Sequence, residues 1–269
     1  MMRSVLKYPG AKWSVADWIV GMMPPHKSYL EPFFGSGAVF FNKAPAPIET
    51  INDLDGEIFN LFSVIRRRPE ELAAALWATP YSREEYDLAW QILKSGNMPA
   101  LDEIERARLM LIRYWQTHGS SARKKAGWKN DVAGREAAYA AQYWNKLPGW
   151  VMDAASRLKE AQIECLPAVD LIRRFHSPEV LVYADPPYLL RTRSDRQYRE
   201  ELDDAGHEEL LRVLLDHPGP VMLSGYDSEL YNDMLTGWDQ LQRPAQAANG
   251  ALRTECLWVN FEIQLRLEF

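Results

Sequence analysis

The sequence predicts an α/β fold in which a mostly parallel sheet is interrupted by a long, mainly helical insertion. Three observations carry this. Short apolar runs at 29–31, 48–51, 180–184 and 220–224 have the texture of strands buried on both faces. Amphipathic spacing at 169–175 and 206–215 alternates with the later strands, as βαβ units require. From 54 to 161 that texture gives way to Ala, Leu, Glu and Arg at helical spacing. With 269 residues, 47% of them hydrophobic and 12% aromatic, the chain has apolar surface for a large core, which excludes wholesale disorder.

Taken in order, Tyr29-Leu30-Glu31 is a short strand that enters the turn Pro32-Phe33-Phe34-Gly35-Ser36-Gly37, after which Ala38–Phe41 opens a helix. Ile48–Ile51 is the next strand and ends at Asn52-Asp53, completing a strand, glycine turn, helix, strand and acid. In the insertion, Pro69, Pro80, Pro99 and Pro148 punctuate the helices. Ser82-Arg83-Glu84-Glu85 reads as a capping box, Ser82 capping and Glu85 reaching back. His118–Asn130 has no period and much charge, and is expected to be an exposed loop on the insertion. Sheet texture resumes at Gln162–Leu166, and Cys256–Phe261 with Ile263, Leu265 and Leu267 closes the chain as one or two antiparallel strands. The expected division is a core of 1–53 and 162–269 around an insertion of 54–161.

Composition narrows the function. A net charge of −6 and a pI near 5.5 exclude coating of nucleic acid by global positive charge, while leaving room for a local basic groove. Cys165 and Cys256 stand far apart without a C-x-x-C partner, so neither a disulfide framework nor a cysteine zinc site is expected, and reduced thiols fit a cytoplasmic compartment. The five histidines form no close cluster with acids, and no metal is expected. No apolar run approaches membrane-spanning length, and the first residues hold no signal-like stretch, so no membrane partner is expected.

The sharpest motif is Asp185-Pro186-Pro187-Tyr188, directly after the strand 180–184. At the carboxyl end of a parallel strand it gathers a carboxylate, backbone carbonyls free of a competing proline N–H, and an aromatic face. An exocyclic amino group on a heteroaromatic ring is a poor nucleophile, because its lone pair is delocalised. A carboxylate and a carbonyl that accept its two hydrogens localise that lone pair, while the Tyr188 ring stacks on the base. In Glu31–Gly37 the glycines permit a tight turn and a close approach of backbone to ligand, and Asp53, sixteen residues beyond Gly37, can hold ribose hydroxyls. Neither a phosphate-binding P-loop nor the full dinucleotide fingerprint is present, which suits a nucleoside without a pyrophosphate. In Lys7-Tyr8-Pro9-Gly10-Ala11-Lys12, two lysines and an aromatic flank a Pro-Gly turn and could clamp a carboxylate.

In this order, with Asn52-Asp53 and a helical insertion between them, the motifs resemble the Dam-type DNA adenine-N6 methyltransferases of the alpha group, D12 class. The resemblance runs from about Leu6 to Tyr188. Beyond it, Leu223–Tyr226 and Arg253–Trp258 are similar to the phage and prophage branch, which together with the negative net charge fits a stand-alone modifying enzyme, with a cognate restriction nuclease left open.

The resemblance implies a Rossmann-like fold that uses S-adenosyl-L-methionine, with the insertion as the target-recognition domain and double-stranded DNA as partner. It implies that Tyr8, Gly10 and Lys12 sit over the cofactor, with Lys12 near its carboxylate. Glu31, Phe33, Gly35, Ser36 and Gly37 would form the cofactor loop, Asp53 would bind the ribose, and Asp170 would accept from the cofactor adenine. Asp185, Pro186, Pro187 and Tyr188 would hold the target adenine, with Asp185 also bordering the cofactor. Many relatives carry Asp-x-Asn where this chain has Asp53-Leu54-Asp55, so the role of Asp55 is open. The implied reaction is one in-line methyl transfer to adenine N6, with the base extruded from the duplex.

DNA contact then falls to local charge. Residues 117–135 carry a net +4 from Arg123, Lys124, Lys125, Lys129 and Arg135 against Asp131, with Trp128 among them to wedge or stack. Arg191, Arg193, Arg196 and Arg199 against Asp195 add +3 directly after Asp185–Tyr188. Arg66-Arg67-Arg68 ends a helix and complements its dipole. Two alternatives stay open at this level: the same chemistry on cytosine N4, an RNA base or a protein glutamine, and a catalytically silent DNA-binding module.

Overall fold

The computed structural model of the chain describes residues 2–119, 124–132, 139–192, 198–246 and 252–263. Among these, one seven-stranded sheet carries the fold, in the order β3-β2-β1-β4-β5-β7-β6. Its strands are β1 (Ser28–Glu31), β2 (Ile48–Asn52), β3 (Gln162–Glu164), β4 (Val180–Ala184), β5 (Val221–Gly225), β6 (Asp239–Gln246) and β7 (Leu252–Val259). The first five are parallel to one another, and β7 is antiparallel to both β5 and β6. This is a mixed, mostly parallel, Rossmann-like sheet, as expected.

The helices α1 (Ala16–Gly21) and α2 (Ala38–Asn42) flank β1 in sequence. The insertion supplies α3 (Gly56–Arg67), α4 (Pro69–Ala78), α5 (Arg83–Ser95), α6 (Glu103–Trp115) and α7 (Tyr139–Leu158). Then α8 (Ala168–Arg174), α9 (Asp204–Asp216) and α10 (Glu229–Met234) join the later strands. Successive residues of β4 point to opposite faces: Leu181 and Tyr183 join one core cluster, Val180, Val182 and Ala184 the other. The first cluster runs on without a break into the insertion through Leu61, Leu109, Trp144 and Val151. The second is closed by Leu171, Leu210, Leu211 and Leu214 of α8 and α9.

Three local expectations are corrected, and one strand was not expected. Pro148 does not end a helix: α7 runs through it for 20 residues, since burial of Trp144, Leu147, Val151 and Ala154 outweighs one missing backbone bond. Ser82 does cap α5, accepting from the Glu85 amide, but the Glu85 carboxylate does not return the bond and pairs with Arg108 of α6 at 2.8 Å. The loop 118–130 is not irregular at its base. Thr117 and Trp128 form an antiparallel bridge, with His118 N–H to Gly127 O and Lys129 N–H to Gln116 O both at 2.9 Å. Strand β6 went unread because Asp239–Gln246 is polar and contains Pro244. It forms as an edge strand against β7, where proline is tolerated.

Candidate active site at the carboxyl ends of the strands

The strand order reverses between β1 and β4, so the loops leaving them diverge and open a crevice, the place where open α/β sheets bind ligands. The parallel register sets Glu31 opposite Ile51 and Leu30 opposite Val182, so Glu31, Asp53 and Asp185 emerge together at one end of the sheet. A cavity of about 340 Å³ lies there.

Asn52, 1% exposed at the end of β2, ties three loops together. Its amide donates to Pro32 O at 2.9 Å and Leu166 O at 3.0 Å, and its oxygen accepts from Leu166 N–H at 2.8 Å. Asp53, next in the chain, accepts from Gly35 N–H at 2.8 Å and from Asp55 N–H at 2.9 Å. Burial pushes its carboxyl up to about 7 despite those amides. Gly35 and Gly37 have φ of +52° and +67°, the left-handed region that favours glycine. A Cβ at Gly37 would lie 2.4 Å from the Phe34 ring. Asp55, whose role was open, caps α3 by accepting from the Glu57 amide, and Arg199 lies 3.8 Å away.

Glu31 is 2% exposed, and its carboxylate accepts from the Tyr29 hydroxyl at 2.7 Å. Burial raises it to about 8, against the opposing effect of that bond. Ser36 is held by the Trp13 indole N–H at 3.1 Å. Tyr8 packs between Tyr114 and Tyr198, with ring centroids 5.6 and 5.8 Å away. Gly10, at φ +70°, passes so close to Tyr198 that a Cβ would meet its hydroxyl at 2.2 Å.

Lys12 makes the most consequential contact. Its Nζ lies 2.9 Å from Asp185 Oδ1 and 3.6 Å from Glu255 Oε1, donates to Gly10 O at 2.8 Å, and sits 4.7 Å above the Tyr188 ring. Burial alone would lower its pKa, but the Asp185 and Glu255 carboxylates outweigh that and hold the ammonium above its ordinary range. Burial raises Asp185, with Lys12 and the Tyr188 hydroxyl acting the other way. The Tyr188 hydroxyl donates to Glu255 Oε1, and Tyr226 stands edge-on to the Tyr188 ring at 4.5 Å.

The cavity is therefore lined by Tyr8, Gly10, Lys12, Glu31, Phe33, Gly35, Ser36, Asp53, Asp170 and Asp185 of the residues singled out in the sequence. Pro187 also reaches it, while Gly37, Pro186 and Tyr188 do not. Asp170 stands at its edge on α8, half exposed, 3.6 Å from Arg173. Three roles were not foreseen: Asn52 as a tie between loops, Tyr198 over Gly10, and Glu255 as the acceptor of the Tyr188 hydroxyl. For Glu255 the signal was there to read, a single acid heading the buried run Cys256–Val259.

Of the basic residues, Arg123 and Arg193 lie outside the described residues, as do Arg135 and Arg196. Lys124 is exposed, and Lys125 lies 2.5 Å from Asp87 of α5. Trp128 is packed, not free: Tyr81 is 5.5 Å and the Arg83 guanidinium 5.0 Å away, and its indole donates to Gln116 at 3.2 Å. Lys129 lies beside it, and its carbonyl accepts from the Tyr81 hydroxyl at 2.6 Å. Arg191 is exposed, in a short helical turn after Tyr188. Arg67 and Arg68, at the end of α3, both pair with Glu103. Both cysteines are free. Among the described residues there is no cluster of acids, cysteines and histidines that could hold a metal ion, and no helix long and apolar enough to cross a membrane.

The chain is 25% identical over 271 residues to a DNA adenine methylase of Salmonella typhimurium, covering 93% of this chain and 91% of that one. It is 32% identical over 111 residues to the type II methyltransferase M1.LlaDCHI of Lactococcus lactis subsp. cremoris, a match spanning 39% of this chain and 38% of that one. A DNA N-6-adenine-methyltransferase of Escherichia phage P1 is 31% identical over 111 residues, which is 40% of this chain and 14% of that one. The family signature matches across residues 8–247, from the Tyr8 turn to beyond Asp185–Tyr188, and on that match the chain belongs to the D12 class N6 adenine-specific DNA methyltransferases.

Proposed function

We propose that the chain transfers a methyl group from S-adenosyl-L-methionine to N6 of an adenine extruded from duplex DNA, and that the residues around the cavity divide cofactor binding and acceptor activation between them. The observation that carries the reading is the meeting of Asp53, Glu31 and Asp185 around one cavity at the sheet's reversal point. The donor set suits the cofactor. Asp53, already aimed by the Gly35 amide, offers carboxylate oxygens to a ribose diol; Glu31 offers a buried acid to a cationic group; Asp170 at the rim offers an acceptor to an adenine amine. Gly10 and Gly35 let backbone approach where side chains would intrude. When bound, the cofactor supplies an electrophilic methyl on a sulfonium sulfur.

The chain's own part is to prepare the acceptor. Lys12 holds Asp185 by the buried Oδ1, which leaves the other oxygen for one amino hydrogen, and a carbonyl of the Asp185-Pro186 segment takes the second. The lone pair on N6 is thereby freed for attack, and Asp185 receives the proton that N6 releases. Tyr188 is 9% exposed, so a base that stacks on it takes the place of Tyr226. The hairpin closed by Thr117 and Trp128, with Lys124, Lys125 and Lys129, and the turn bearing Arg191 contact the DNA backbone, and residues 54–161 act as the recognition unit. The test is to incubate the protein with methyl-labelled cofactor and unmethylated genomic DNA, then digest to nucleosides. Label in N6-methyldeoxyadenosine is expected; label only in cytosine, RNA or protein overturns the acceptor assignment.

A further inference from the structure

Glu255 is 5% exposed at the head of a strand stretch whose next four residues are buried and apolar. A carboxylate in such a place is costly unless paired. One of its oxygens, Oε1, receives the Tyr188 hydroxyl and lies 3.6 Å from the Lys12 ammonium. Lys12 in turn reaches Asp185 Oδ1, an atom sealed from solvent. Two carboxylates, one in the loop after β4 and one on β7, thus share one ammonium, and the Tyr188 hydroxyl bonds to the second of them.

We propose that Glu255 is a positioning residue of the acceptor pocket: it fixes the plane of the Tyr188 ring through its hydroxyl and divides the Lys12 ammonium with Asp185. This rests on the acceptor reading above. Through Tyr188, Glu255 sets the surface on which the base stacks. Through Lys12, it sets how strongly the Asp185 carboxylate is neutralised when the amino group arrives. Glu31, Tyr183, Tyr231 and the Tyr188 hydroxyl also face Asp185, and Tyr183 faces Glu255 as well. None of these brings a positive charge, so among the described residues Lys12 is the cation the two carboxylates have in common. Removing the charge of Glu255 leaves Lys12 to Asp185 alone, and Asp185 then gives up its proton at lower pH.

The test is single-turnover methyl transfer at saturating cofactor and DNA with Glu255→Ala, Glu255→Gln, Tyr188→Phe and the Ala/Phe double variant. Glu255→Ala is expected to slow transfer by roughly tenfold or more while cofactor Kd stays within about threefold. The double variant is expected to lose less than the product of the two single losses, because both changes remove the same Tyr188–Glu255 anchor. Glu255→Gln keeps the shape and the Tyr188 bond, and is expected to move the acid limb of the pH–rate profile down by roughly half a unit or more. An unchanged rate in Glu255→Ala, additive losses in the double variant, or an unmoved acid limb in Glu255→Gln each overturns the inference. Should Glu255→Ala not fold, Glu255→Gln decides alone. Wild-type protein that labels no adenine overturns the acceptor reading and this inference together; labelled adenine with wild-type behaviour in the variants overturns the inference only.

Discussion

Lys12 Nζ and Asp185 Oδ1 lie 2.9 Å apart with side chains 7% and 18% exposed, so the turn that opens the chain and the loop after β4 meet in a mostly buried ion pair. A buried charge left without its partner is strongly destabilising. Glu255 limits that risk for Lys12, since its Oε1 lies 3.6 Å from the same ammonium and gives it a second carboxylate partner.

Replacing Asp185 by Ala should therefore abolish chemistry without emptying the cofactor site. Transfer is expected to fall by roughly 10²–10⁴-fold, with cofactor affinity within a few-fold, by single-turnover kinetics and calorimetry. Equal losses in both would place Asp185 in cofactor binding instead.

Cofactor affinity should depend on pH through Asp53. Its carboxyl titrates near 7, and only the ionised form offers all its oxygen lone pairs to ribose hydroxyls. Below pH 7, Kd is expected to rise by up to about tenfold per unit, and Asp53→Asn should bind weakly with a flat profile. Calorimetry across pH 5.5–8.5 reads both; a wild-type profile as flat as the variant's would assign the ribose elsewhere.

Glu31 should tie stability to pH with the opposite sign from an ordinary ion-paired acid. Its folded value of about 8 lies above the ordinary 4.5, so the folded state holds a proton that the unfolded chain releases. The contribution is fully present below the ordinary value and is lost as pH rises through about 8. Glu31→Gln is expected to raise Tm by roughly 2–5 °C at pH 9 and to make no difference near pH 4. A gain that persists at pH 4 would point to packing.

At Gly37 a Cβ would need both a left-handed residue and space already filled by Phe34 and Phe41. Gly37→Ala is expected to destabilise the fold by roughly 2–4 kcal/mol in urea melts. Gly21→Ala, at a glycine with nothing within 4 Å of its Cβ position, is the control and should fall within about 0.5 kcal/mol of wild type.

Lys124→Ala with Lys125→Ala should weaken DNA binding and reduce its dependence on salt by at most about two units of slope. The pairing of Lys125 with Asp87 makes the smaller share its own. Titration of a DNA duplex at several salt concentrations measures this, and an unchanged slope removes the hairpin from the interface.

Much of this protein was legible in its sequence. The parallel sheet followed from apolar runs, and the cavity from Glu31–Gly37, Asn52-Asp53 and Asp185–Tyr188, because a residue just past a strand's carboxyl end is placed by the backbone alone. Two interior glycines read correctly for the same local reason, their positive φ. The turn of Ser82 at a helix start was visible, but the partner of Glu85 was not: Arg108 is distant in sequence and near only after α5 packs on α6. Pro148 within α7, the strand β6 and the closed base of the hairpin escaped because each rests on contacts that outweigh local preference. Lys12 between Asp185 and Glu255 is the plainest case. The sequence determined which residues carry charge and which stand at strand ends; the tertiary structure decided which charges share a buried space, because ion pairing depends on distance and desolvation, and neither is written in the order of residues.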